Sequence, residues 1–432
     1  MSESLLLLAP LALCAGGVGL LLFRASPRLT FVTWTLVLFF VPIWIGATVG
    51  FFWAALTLIT IAAIIANLAD LRLTVVDGFV AVFTLLVLVL YALNLATLSA
   101  SIIAILQWVL PYAWGRLVLT RVPARFVVQT IAAVAVAAAL LALIEFATRT
   151  NLFVLVPGQG AYAQWSSLQP RAAFLRAEGA FGHSIALGAS LAMSSAFVVA
   201  ARWRTPVTLL ALAALVGAVV VTFSRIGLIT LGLTLALSVL LLPGIRRTVR
   251  WTIVAGGLAA GALIVSFIGS VFAEAGDEAG GSADYRGDLF TLLLEVRPLG
   301  TAGDWADRLV GGVYLGNFAQ SVDNTLLLIA LRFGWVPMLV VVLVLVATAT
   351  GLLRGRANPA SIAVTAQLPA LLAVALITQF GMFLWFLAGL AIAWDARPRD
   401  ELERRLTPRL SRLVPGRQPP GGGAAPSVAR RP

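Results

Sequence analysis

The sequence predicts an all-α fold, a polytopic membrane helix bundle of about 12–13 transmembrane helices with a large extracytoplasmic loop before the last spans. Three observations carry this expectation. Of the 432 residues, 61% are hydrophobic and 11% are charged, whereas soluble domains carry roughly 45–50% and about 25%. The apolar residues come in runs of bilayer length, about 20 residues per crossing. The arginines gather mostly in every second connection between those runs, as the positive-inside bias requires. A mean hydropathy of +1.01 demands lipid around the chain, which excludes an ordinary soluble enzyme and a disordered polymer.

The net charge of +12 and the pI of about 11.3 would point to nucleic acid in a soluble protein. In this composition they point to membrane topology, and no nucleic-acid partner is expected. All 30 basic residues are Arg. The one cysteine, Cys14, lies in an apolar run, so no intramolecular disulfide or Cys metal cluster is expected. The one histidine, His183, excludes a multi-histidine metal site. The start, Met1-Ser2-Glu3-Ser4, lacks the positive charge of a cleavable signal peptide. The apolar run up to Phe23 is long enough to be a span instead.

In chain order, spans are expected near 4–23, 30–48, 51–69, 76–94, 98–115, 123–147, 183–201, 205–223, 226–242, 251–271, 324–352, 360–378 and 380–395. The run from Phe31 to Leu68 is divided at Gly46 and Gly50, and the last two spans at 379–381. The run from 324 exceeds one bilayer crossing, so it tilts or projects beyond the lipid. One set of connections holds Arg24 and Arg28; Asp70 and Arg72; Arg116, Arg121 and Arg125; Arg202 and Arg204; Arg246, Arg247 and Arg250; Arg354 and Arg356. This set reads as cytoplasmic; thirteen spans place the N-terminus outside, and an even count would reverse that side alone. The expected location is the cell inner (plasma) membrane.

Residues 1–395 then form the membrane domain, with outer loops at 148–182 and 272–323. Long loops on a rigid helical scaffold are where function concentrates. Residues 396–432 read as a basic tail, a short helix followed by disorder. The tail carries nine arginines against three acids, a surplus suited to anionic lipids of the inner leaflet. No inverted repeat of the transporter kind is visible.

Four clusters on the outer side carry candidate chemistry. Arg225 lies in Thr222-Phe223-Ser224-Arg225-Ile226-Gly227, where two spans meet almost without a loop. A cation at that depth either snorkels to lipid phosphates or faces an anionic ligand, which its planar fork suits. The second cluster is Arg171 to Ser184, with Arg176, Glu178 and His183. There Arg176 and Glu178 either pair at the interface or serve a ligand, and His183 is either a hydrogen-bonded helix start or a titrating group. The third runs through Asp284-Tyr285-Arg286 to Glu295-Val296-Arg297-Pro298-Leu299-Gly300. Its Leu289, Phe290, Leu293, Leu294 and Val296 suggest a short amphipathic helix on the membrane surface. Asp304 and Asp307 are too weakly spaced to indicate a metal. The fourth is Ser321-Val322-Asp323-Asn324-Thr325, then Arg332-Phe333-Gly334. Asp323 is either an N-cap or a base. Arg332, two turns deeper, is expected to be paired or to line a wet cavity.

In order and spacing these four stretches resemble the O-antigen ligase and polysaccharide polymerase superfamily of polytopic membrane proteins. The resemblance covers roughly Arg171 to Val346, and the first 150 residues match only as apolar spans. It implies transfer or polymerisation of a glycan from an undecaprenyl-diphosphate-linked donor to a glycan or lipid acceptor outside the membrane, with no cofactor and no metal. By that resemblance Arg225 and Arg286 are the first diphosphate contacts and Arg176 the third. Arg297, Asn324 and Arg332 complete the substrate-facing set, and Asp323 and His183 are the catalytic candidates. Ligases of the family usually carry His before the Asn of Asp323-Asn324. The Asp here moves the expectation toward a polymerase, or a ligase for another acceptor, with Asp323 as general base. The family's Pro-Asn after the histidine is Ser184-Ile185 in this chain.

A reading from another class stays open, a transporter or flippase for a lipid-linked or anionic substrate. It would favour charges near the bilayer midplane and broken helices in paired halves. The charges read as outer gather near one face instead. A third reading, a structural membrane scaffold, expects the outer loops to tolerate substitution.

Overall fold

The structure, a computed structural model, describes residues 16–158, 163, 165–166, 175–259, 290–303, 309–310, 313–314 and 322–396. Contacts divide the chain after Asp395, and the helices below all precede that point. The chain is 75% helical, compatible with an all-α bundle. Among the described residues the helices are α1 (Gly16–Ala25), α2 (Pro27–Phe40), α3 (Ala55–Ala66), α4 (Val75–Ala92), α5 (Leu98–Arg121) and α6 (Ala124–Thr148). Then come α7 (Ser184–Ala200), α8 (Thr205–Val221), α9 (Arg225–Leu241) and α10 (247–259). The last five are α11 (Thr325–Phe333), α12 (Trp335–Leu353), α13 (Pro359–Ala366), α14 (Leu368–Leu371) and α15 (Thr378–Asp395).

Four of these, α4, α5, α6 and α12, are long and apolar enough to cross a membrane. The pattern of burial separates central from peripheral helices. Helix α4 buries one stripe, Val76, Val80, Phe83, Val87 and Leu90, the spacing of one helix face. Its other face is apolar and exposed at Val82, Leu85 and Leu88, as lipid contact requires. Helix α15 is buried at every position from Thr378 to Ala393, and α7 at nearly every position. Glycine lets the central helices touch. A Cβ on Gly115 of α5 would strike the Phe386 carbonyl, and one on Gly389 of α15 would strike that of Tyr112. Likewise a Cβ on Gly227 of α9 would lie 3.3 Å from the Gly188 Cα of α7. Close backbone approach at small residues is the usual way helices associate without a hydrophobic drive.

Several expected spans are not single helices. Spans 30–48 and 51–69 give way at their junction to a hairpin, β1 (Gly46–Val49) and β2 (Phe51–Ala54). The strands pair antiparallel with Val49 opposite Phe51, and Gly50 at φ 72° makes the turn. Span 324–352 is two helices, α11 and α12, broken at Gly334. Span 360–378 is interrupted too, with only α13 and α14 helical before α15 begins. Span 98–115 runs on to Arg121 as α5, and a π-helical turn, Ala104–Val109, lies inside it. Arg116 is therefore not in a connection but inside a helix, 3% exposed and paired with Asp77. Spans 4–23 and 251–271 lie partly outside the described residues, and the tail from 397 wholly so. A second small hairpin joins β3 (Leu309–Val310) and β4 (Val313–Tyr314).

Candidate functional site

The C-terminal end of α6 organises one end of the bundle. Glu145 sits there with its carboxylate buried. Oε1 accepts from Asn151 Nδ2 at 2.9 Å and from the Glu178 amide at 3.0 Å. Oε2 accepts from the Gly179 amide at 2.9 Å. The cluster of Arg176 and Glu178 is thus tied to α6 by its backbone. Ala177 then donates to the Val221 carbonyl, and Arg176 Nε donates to that of Thr222 at 3.0 Å. These are the last carbonyls of α8, which an α-helix leaves without partners of its own.

The same turn carries the cluster of Arg225. Ser224 caps α9 by accepting from the Gly227 amide at 3.0 Å. Phe223, at φ 49°, packs its ring 5.9 Å from that of Phe146 on α6. Arg225 is the first residue of α9 and is exposed. Arg176 and Arg225 therefore stand on either side of one short turn, as their separate motifs in the sequence did not require.

His183 caps α7. Its Nδ1 accepts from the Ile185 amide at 3.2 Å, and its ring meets Trp165 edge-on at 5.6 Å. An acceptor at Nδ1 assigns the proton of the neutral ring to Nε2, so the free nitrogen is a donor.

The third and fourth motifs meet at the break between α11 and α12. Residues 297–302 run alongside it as a strap. The Trp335 and Val336 amides donate to the Arg297 and Pro298 carbonyls at 2.9 and 3.1 Å. The Gly300 and Ala302 amides donate to Phe333 and Leu331 at 2.9 and 2.8 Å. Gly334, at φ 98°, has no room for a side chain: a Cβ would lie 2.7 Å from the Pro298 carbonyl oxygen. The helix ends that the break exposes are thereby satisfied by the strap.

Asn324, not Asp323, is the N-cap of α11, accepting from the Leu327 amide at 3.0 Å. Asp323 precedes it and is half-buried, Arg332 lies half-buried in the last turn of α11, and Arg297 is exposed. The expected surface helix around residue 290 is a 3-10 turn, Phe290–Glu295. Arg286 lies outside the described residues.

The segment before α15 links the two halves of the site. Thr325 Oγ1 donates to the Val374 carbonyl at 2.6 Å. Gln379 Nε2 donates to the carbonyls of Ala180, at 3.1 Å, and Val41, at 3.0 Å. Gln379, in the first turn of α15, follows Val374 by five residues, so the start of α11 and the loop before His183 are both tied to this one stretch of chain. The sequence reading omitted Glu145, Arg149, Asn151 and Gln379. Glu145 had a signal: an acid within an apolar span is a candidate site by default.

Among the described residues no group of three or more His, Cys, Asp or Glu is placed to hold a metal ion. The fold defines a helical bundle with helices able to cross a membrane. No family model, curated protein or solved structure matches the chain.

Proposed function

We propose that the protein is an inner-membrane glycosyltransferase of surface polysaccharide assembly, polymerase or O-antigen ligase-like. The donor is a glycan on undecaprenyl diphosphate, and the acceptor is a second glycan or lipid. The observation that carries the reading is that separate motifs are tied together: Arg176 to the turn before Arg225, and Thr325 to Val374, five residues before the Gln379 that holds Ala180. As the glycosidic bond breaks, negative charge grows on the leaving diphosphate. Fixed guanidinium groups stabilise that charge without reorganising. The acceptor hydroxyl gives its proton to Asp323 and attacks the anomeric carbon, and the diphosphate leaves with the bonding pair.

Arg225→Ala is expected to lower the yield of long polymer about 100-fold or more, in line with the loss of one charge-stabilising donor. Lipid-linked donor should accumulate. The measurement is polymer length and lipid-linked glycan in cells expressing the variant at parental level. Normal length and yield would refute the assignment. Transport of a lipid-linked substrate is the second reading, favoured by the interruptions at 104–109, at Gly334 and before α15. Purified protein that lengthens a lipid-linked glycan in detergent, where no gradient exists, separates the two.

A further inference from the structure

Arg149 stands in none of the four motifs, yet the fold brings it to them. It follows α6 directly and lines one cleft with Arg176, Asn151, Glu145 and Leu175. Phe146, one turn earlier, packs on Phe223, two residues before Arg225. Arg149 thus shares a cleft with Arg176, and Arg176 bonds the turn from which Arg225 opens α9. Glu145 is the one acid in the cleft lining, and its oxygens already accept three hydrogen bonds. Arg149 is exposed, and its backbone is held at φ 55°. That left-handed conformation penalises any residue with a Cβ and suits glycine. Asn follows two residues later at 151, but the strained position itself carries Arg. Strain kept at one position is where a side chain serves something other than stability.

We propose that Arg149 is a third phosphate-binding guanidinium of this site, closing with Arg176 and Arg225 on one phosphate-bearing lipid headgroup. The proposal rests on the transferase reading for the donor as ligand, but not for phosphate binding itself. Each guanidinium can offer two parallel N–H donors to phosphate. The phosphate can come from a lipid diphosphate or from an ordinary phospholipid.

Inorganic pyrophosphate and glycerol 3-phosphate are the probes, titrated against purified full-length protein in detergent. Arg149→Gly removes the side chain and relieves the backbone at once. It is expected to weaken pyrophosphate binding about tenfold while leaving the unfolding temperature unchanged or raised. Arg149→Lys, which keeps the charge and loses the fork, should fall between Gly and the parent. A preference for pyrophosphate identifies a diphosphate source, whereas equal affinities identify a phospholipid headgroup. Unchanged pyrophosphate affinity in Arg149→Gly overturns the proposal. If Arg225→Ala lowers polymer yield and Arg149→Gly leaves pyrophosphate affinity unchanged, the transferase reading stands and this inference fails. If Arg149→Gly weakens binding while Arg225→Ala leaves polymer normal, the phosphate site stands and the transferase reading fails.

Discussion

Asp77→Ala is expected to destabilise the protein by about 3–5 kcal/mol, because it strands a buried cation. Arg116 is 3% exposed and Asp77 12%. Arg116 Nε reaches Asp77 Oδ1 at 2.7 Å, and Nη2 reaches Oδ2 at 2.9 Å, a two-point contact. Nη2 also donates to the Arg72 carbonyl, and Tyr112 OH donates to Oδ1. Thr74 completes the set with its amide and hydroxyl, both on Oδ2. The carboxylate thus joins α4, α5 and the chain before α4 through one group. Thermal unfolding of the purified protein measures the loss. Replacing both partners, Asp77→Leu with Arg116→Met, should restore much of it, since no charge is then left alone. Unfolding of Asp77→Ala at the parental temperature would contradict this account.

Glu145→Ala is expected to cost about 3 kcal/mol or more, as the Glu178 and Gly179 amides and Asn151 Nδ2 each lose an acceptor in a buried place. The functional consequence is expected to exceed the thermal one. Arg176 and Ala177 reach the last carbonyls of α8 only because the next two residues are anchored to α6. Glu145 is a positioning residue, and its removal should lower pyrophosphate affinity together with stability. Glu145→Gln retains one acceptor oxygen and replaces the other by a donor that faces donors, so it should recover only part of both. Pyrophosphate titration beside thermal unfolding makes the comparison. A variant that loses stability but binds pyrophosphate as the parent does would reduce Glu145 to a structural anchor.

Composition made the helical class legible, and runs such as 123–147 and 205–223 correspond to α6 and α8 within a few residues. The breaks were harder to read. From Leu326 to Leu353 Arg332 is the one charged residue, and the length of the apolar run outweighed the local marks of a helix end, Arg332, Gly334 and Pro337. The break is set by residues 297–302, some thirty positions away. The hairpin at Gly46–Ala54 was hidden in the same way, because an apolar run without periodicity does not distinguish strand from helix. In the site, Arg176 and Arg225 were visible because they break the charge bias. Arg149 breaks it too, directly behind the span 123–147, but stands in none of the four clusters. Glu145 carried a signal as an acid inside a span, but its partners, two backbone amides and Asn151, are set by the fold and not by a residue pattern.

The strap also has an order in time. Synthesis and folding proceed from the N-terminus, and the Leu95 carbonyl that receives the Thr301 amide exists before the strap emerges. The strap in turn exists before the carbonyls of Leu331 and Phe333 and the amides of Trp335 and Val336 that it meets. Each hydrogen bond along this seam therefore joins a newly made segment to one already in place. The break at Gly334 can be completed as it is made, and its exposed backbone groups need never wait for a partner still on the ribosome.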